Sequence, residues 1–420
     1  MKGHTATEKI LALRGGVKEV FPGDVVTCDV DGVFVHSPWF FLDNWKLIGG
    51  VKRMWDPDKL IICLGHHVCL PSSNQYANDL ADVRRAVKKY GFKHVYDMGT
   101  GNGHIIMLEK GHVRPGHVYV GADSHSTIYG AVGAFGTAMS YEIPEVLLCG
   151  KAWFKVPATV RVNLEGKPMK GVTARDVAQH VLNTVGADGA LWKTIDFSGS
   201  YIHSLSVYQR MIFSLLAVEM GAVTGFIEPD DITREFLAGR TLNPFECIYN
   251  DPDCEFEEVW DIDVSKVEPQ IAVPPRPSET TLVSAVEEKN IKVDQAFVGG
   301  CTGSSIEDFR MAAEILKGQK IHPDTRLLIV PGTADILKQL QKEDLDEFFT
   351  DMGAILSAPY CGPCQMCCYG HLGDGEIMIG THPRNQPGRA GKNSGIYLAS
   401  PYTVAAAAIC GKIVDPRRFL

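Results

Sequence analysis

Short apolar runs of four or five residues alternate along the chain with longer stretches in which apolar positions recur every three or four residues. The first pattern suits strands buried on both faces, and the second suits helices that cover them. The alternation therefore predicts an α/β fold built on mainly parallel sheets. Strands are expected at 60–64, 117–121, 296–298 and 326–330, and helices at 79–90 and 305–316. Near the start, Thr5 followed by Glu8 reads as a capping box, so a helix should open within a few residues of Met1.

Two changes of pattern divide the chain. Around 155–158 a Gly- and Ala-rich stretch gives way to the polar, β-rich segment 159–164. Further on, 267–279 carries Pro269, Pro274, Pro275 and Pro277 and reads as an extended linker. Three units are expected: 1–156, 157–272 and 273–420.

A length of 420 residues exceeds one small core, and 45% apolar with 22% charged residues is ordinary globular composition. The formal net charge of −9 lacks the basic surplus usual in nucleic-acid binders, so no nucleic-acid partner is expected. No run of about 18 apolar residues suggests a membrane span. Residues 1–13 lack an apolar signal core, which points to a cytoplasmic protein whose 12 cysteines are thiols rather than disulfides. Cys28, Cys63, Cys69, Cys149, Cys247, Cys254 and Cys410 lie singly and are expected to be small buried hydrophobes.

The remaining cysteines are grouped. Cys301 lies in Gly299-Gly300-Cys301-Thr302-Gly303, between an expected strand and an expected helix. That setting puts its sulfur near a helix N-terminus, where backbone N–H groups favour a thiolate. Cys361-Gly362-Pro363-Cys364 sets two thiols on one turn, with Cys367 and Cys368 close behind. By spacing alone such a group serves an iron–sulfur cluster, half a zinc site, a redox pair or plain structure.

The flanks are more specific. Asp123-Ser124-His125 is followed in order by Gly-Gly-Cys-Thr-Gly-Ser-Ser-Ile-Glu-Asp-Phe-Arg (299–310), Tyr-Cys-Gly-Pro-Cys (360–364) and Arg384-Asn-Gln-Pro-Gly-Arg389. Together these resemble the aconitase superfamily, in particular its branch of isopropylmalate dehydratase and homoaconitase large subunits. The resemblance runs from about Glu8 to Pro416.

It implies three aconitase-like α/β domains around a central [4Fe–4S] site, with the swivel domain on a separate small subunit. By this resemblance Cys301, Cys361 and Cys364 ligate three irons, and the fourth is left for the substrate as a Lewis acid. His66, His104, Asp123, His125 and Glu219 match catalytic residues, while His36, Ser124, Arg384 and Arg389 match substrate-binding ones. The implied reaction is reversible dehydration or isomerisation of a small hydroxy di- or tricarboxylic acid, of the isopropylmalate, homocitrate or methylmalate type.

Four positions depart from the family: Gly65 stands for an Asp beside His66, and Leu215, Gly303 and Pro383 each stand for an Asn. Cys367 adds a possible fourth thiolate. A cluster closed by Cys367 would leave no iron open, so a non-enzymatic iron or redox sensor is the alternative reading. A zinc-binding structural subunit is the third.

Overall fold

The computed structural model describes residues 3–47, 54–241, 243–365 and 368–420. Thr5 caps the helix Ala6–Gly15 reciprocally: its hydroxyl accepts from the Glu8 N–H, and the Glu8 carboxylate accepts from the Thr5 N–H. Strands Leu60–Cys63, Val118–Gly121, Gln295–Val298 and Arg326–Ile329 fall on the short apolar runs, and every residue in them except Arg326 is buried. Ser305 caps the helix Ile306–Leu316 through a second reciprocal pair, with Asp308. The helix expected from residue 79 begins instead at Asn74 and runs to Tyr90. Ser73 stops the preceding loop by accepting from the Tyr76 N–H, and the polar first turn conceals that start in the sequence.

One sheet has five parallel strands, in the order His94–Tyr96, Leu60–Cys63, Gly32–His36, Val118–Gly121, Phe135–Ala138. The chain builds outward from Gly32–His36 to one side and returns to its other side at Val118–Gly121. Such a reversal leaves a crevice beyond the carboxyl ends of the two strands. His36 ends the first of them, and Asp123 follows the second.

A larger sheet repeats the device. Its seven strands run Thr280–Leu282, Gln270–Ala272, Gly395–Ala399, Ile377–Gly380, Gln295–Val298, Arg326–Ile329, Ile355–Leu356, and the last five are parallel. Here the reversal lies between Gln295–Val298, which leads to Cys301, and Ile377–Gly380, which leads to Arg384. A four-stranded parallel sheet (Thr224–Ile227, Thr194–Ser198, Thr159–Glu165, Val259–Asp263) comes between the two in sequence. An antiparallel ribbon joins Val25–Asp29 to Lys151–Lys155. The protein is α/β with mainly parallel sheets.

Two expectations need correction. The Pro-rich stretch is no linker: Gln270–Ala272 pairs antiparallel with both Thr280–Leu282 and Gly395–Ala399. Its prolines lie in the turn or just before the first strand, where a missing N–H removes no ladder bond. Among the single cysteines, Cys28 and Cys63 are buried, but Cys149 is exposed at the end of the helix Ile143–Cys149. No disulfide forms among the described residues. None of the described helices is long and apolar enough to cross a membrane.

Candidate active site

Cys301, Cys361 and Cys364 are buried in one apolar cluster with Phe34, Ile106 and Tyr129 of the first third of the chain. Gly300 takes φ +79°, and a Cβ there would lie 2.8 Å from the His382 Cβ. Gly362, at φ +69°, packs so closely on the Phe297 ring that a Cβ would approach to 2.3 Å. Both loops therefore need glycine to bring their cysteines in. The Cys361 N–H donates to the His66 carbonyl at 3.0 Å, pinning the turn to the opposite wall.

Behind the sulfurs lies a buried arginine. Arg175 donates from Nη1 to Thr302 Oγ1 (2.6 Å) and the Thr381 carbonyl (3.1 Å), and from Nη2 to the His382 carbonyl (3.0 Å). It fastens the Cys301 loop to the loop leading to Arg384. Burial takes its pKa down to about 10, which still leaves it charged at neutral pH. Arg389 donates from Nε to the Cys364 carbonyl at 2.8 Å, with Nη2 3.7 Å from the Cys364 sulfur.

The facing wall carries proton-handling groups. His104 Nε2 lies 2.9 Å from Asp123 Oδ1, and His125 Nδ1 lies 3.6 Å from the same oxygen. His125 Nε2 is 3.7 Å from Glu219 Oε1, which accepts from Arg384 Nε at 2.5 Å. Imidazole, carboxylate, imidazole, carboxylate and guanidinium thus follow one another along a single line of contacts. Burial opposes charge on Asp123, yet His104, His125 and His36 together hold it well below the usual carboxylate range. Burial and the Arg384 charge work against a proton on His125, but Cys301, Glu219 and Asp123 outweigh them and raise its pKa.

Three further imidazoles are neutral because burial lowers their pKa values: His36, His66 and His67. His66 Nδ1 accepts the Gly103 N–H at 3.0 Å, so its proton sits on Nε2, 3.4 Å from the Cys361 sulfur. His36 Nε2 faces the Ala122 carbonyl at 3.0 Å and Asp123 Oδ2 at 3.4 Å, which places its proton there too. Ser37, at φ +63° and fully buried, then donates to His36 Nδ1 (3.0 Å) and accepts from His67 Nδ1 (2.8 Å). A left-handed serine is strained, and the two imidazoles hold it in place.

These groups converge on a cavity of about 330 Å³, lined by the three cysteines, His36, His66, His67, Asp123, Ser124, His125, Arg384 and Arg389. His104 reaches it through Asp123, and Glu219 through Arg384. The imidazole and carboxylate atoms of His36, His67 and Asp123, and those of His66, His104 and Asp123, are close enough to share an ion. Cys367 lies outside the described residues.

Sequence reasoning missed His67, Asn102, Arg175 and Thr381. His67 had a signal in its place beside His66; Arg175, on an ordinary helix start, had none. Thr381 also explains one departure from the family: a Cβ on Gly303 would lie 2.1 Å from Thr381 Cβ, leaving no room for a side chain. A Cβ on Gly65 would lie 2.9 Å from the Asp97 carbonyl.

Residues 70–411 match the model of the aconitase family (aconitate hydratase). The chain is 40% identical to 3-isopropylmalate dehydratase large subunit 1 of Methanopyrus kandleri, over 100% of both chains. It is 40% identical to the protein of the same name from Pyrococcus furiosus, over 99% of each. Identity to the 3-isopropylmalate dehydratase large subunit of Hydrogenobaculum sp. is 39%, over 99% of this chain and 98% of the other. Among solved structures, the holo-form of Thermococcus kodakaraensis aconitase X aligns with a TM-score of 0.49 at 11% identity, over 90% of this chain and 89% of that one. By its family and relatives the chain is a hydro-lyase. The chain belongs to the aconitase family.

Proposed function

We propose that this chain is the large, catalytic subunit of an iron–sulfur dehydratase, with a [4Fe–4S] cluster on Cys301, Cys361 and Cys364. Its substrate is a small hydroxy di- or tricarboxylic acid of the isopropylmalate, homocitrate or methylmalate type. The observation that carries this reading is the convergence of three buried thiols from two loops on a cavity that also holds Arg384 and an Asp–His pair. The donor set fits: three soft sulfurs, approached by N–H groups of Asn102, His66 and Arg389, suit an iron–sulfur group, whereas a hard cation asks for oxygens.

When bound, the cluster supplies the Lewis acid that turns hydroxyl into a better leaving group. The chain's own residues do the rest. Arg384 spends Nε on Glu219 and keeps its other N–H groups for a substrate carboxylate, the fork geometry that guanidinium offers. Asp123 orients His104 and His125, and His125, which lines the cavity, can pass a proton to or from the substrate while His104 acts through Asp123. His36 and His66 line the cavity with their Nε2 protons directed to the Ala122 carbonyl and the Cys361 sulfur, and meet the substrate from that wall. Ser124, on the rim, is placed to hydrogen-bond the substrate.

That the relatives are named large subunits supports a separate small chain that completes the site. Three units, each centred on one larger sheet, suit this reading, with the second boundary moved from 272 to just before Gln270 because Gln270–Ala272 pairs within the third sheet. A cytoplasmic, reducing setting suits the thiols.

Anaerobic reconstitution of the chain together with the small subunit from the same genome, followed by a hydroxy-acid dehydration screen, tests the proposal. One acid should be dehydrated and should perturb the cluster spectrum. Zinc without sulfide, or a cluster whose irons are all ligated by side chains and that no hydroxy acid perturbs, would overturn it.

A further inference from the structure

We infer that Asn102 is a positioning residue for the cysteine site, supplying both of its amide protons to the sulfurs of Cys301 and Cys361. The inference rests on the iron–sulfur reading above and names a residue that sets the properties of that site. Asn102 is fully buried and caps the helix Gly103–Glu109, its Oδ1 accepting from the His104 N–H at 2.9 Å. That bond fixes which way the amide faces. Turned over, its NH2 would meet another N–H donor and its oxygen would meet two electron-rich sulfurs. Nδ2 therefore faces the cysteines, 3.0 Å from the Cys301 sulfur and 3.0 Å from the Cys361 sulfur. His66 reaches the Cys361 sulfur and His125 hydrogen-bonds that of Cys301, so neither imidazole serves both.

The backbone is held as firmly as the side chain. The Asn102 N–H donates to the Gly332 carbonyl at 2.7 Å, and Gly101 bridges to Thr333. A Cβ on Gly101 would lie 2.3 Å from that same carbonyl, so the contact between the two chain segments is close and inflexible. Asn102 thus has no freedom to withdraw its donors.

N–H bonds to thiolate sulfur stabilise negative charge there, and so favour the reduced state of any iron–sulfur group the thiolates hold. They also keep two cysteines from separate loops at one spacing.

The test uses the full chain, reconstituted anaerobically with iron and sulfide, and two variants. Asn102→Asp keeps the shape and the cap acceptor but replaces the donors with an oxygen. Asn102→Thr keeps a capping hydroxyl but is too short to serve both sulfurs. Redox titration followed by electron paramagnetic resonance should give a more negative midpoint potential in both, with the larger shift in Asn102→Asp. Iron release to a chelator should quicken by about 10-fold or more. Helical content and the urea midpoint of Asn102→Thr should stay near wild type, separating the sulfur contacts from the cap. Wild-type potential and release rate in cluster-bearing Asn102→Thr would overturn the inference while leaving the proposed function standing. A wild-type chain that takes up no iron and sulfide would sink the function itself, and the inference with it.

Discussion

At the carboxyl ends of the five-stranded sheet stand His36 and Asp123, and at those of the seven-stranded sheet stand Cys301 and the loop to Arg384. Both pairs occupy a reversal in strand order, where an open parallel sheet leaves a crevice. They are held in different ways. The imidazoles and carboxylates fix one another through shared protons, with Ser37 and backbone carbonyls completing the set. The thiols sit on loops that are fastened from behind by Arg175, Thr381 and Arg389. One wall is organised so that protons have defined positions, and the other so that sulfurs do.

The largest effect should follow from breaking the sulfur wall directly. Cys301→Ser should leave the reconstituted chain with little iron or sulfide and no dehydration activity, while its circular dichroism stays near wild type; metal and sulfide analysis reads this. On the proton wall, Asp123→Asn should lower kcat by about 10²–10⁴-fold, yet keep iron and sulfide at wild-type levels. Loss of the cluster in that variant would show that the two walls are not separable.

Arg175→Met sharpens the same contrast from behind the loops. It removes three buried hydrogen bonds made by a charged donor, and should cost about 3 kcal/mol in urea unfolding of the cluster-free chain. The smallest effect belongs to an ion pair outside both walls. Burial opposes charge on Asp230, but Arg210, at 2.6 and 2.8 Å, and the Thr233 N–H hold its pKa at about 2. A carboxylate with a depressed folded pKa lends stability above its unfolded value of about 3.9, and that stability fades as pH falls through about 2. Asp230→Asn should therefore cost on the order of 1 kcal/mol at pH 7, after allowance for partial exposure, and almost nothing near pH 2.

Much of the fold was legible because fully buried parallel strands leave continuous apolar runs, as at Leu60–Cys63 and Gln295–Val298. The hairpin around Pro274 was not, since a proline-rich turn inside a sheet has the same composition as a linker. In the candidate site, cysteines and glycines advertise themselves by local spacing. Asn102 does not: its partner Cys301 is 199 positions away. Arg175 reaches Thr302 across 127 positions, and its burial is a product of tertiary packing that no local pattern encodes. Residues that carry ligands announce themselves in short motifs, while those that hold the motifs in register become visible only once the chain is folded.

The bond from the Cys361 backbone to the His66 carbonyl has a temporal consequence. The two walls of the cavity come from segments 295 positions apart, so they are made at well-separated times in translation. On the proposed reading, a chain that has made only the His66 wall has no closed place to receive iron, so loading follows the docking of those two segments.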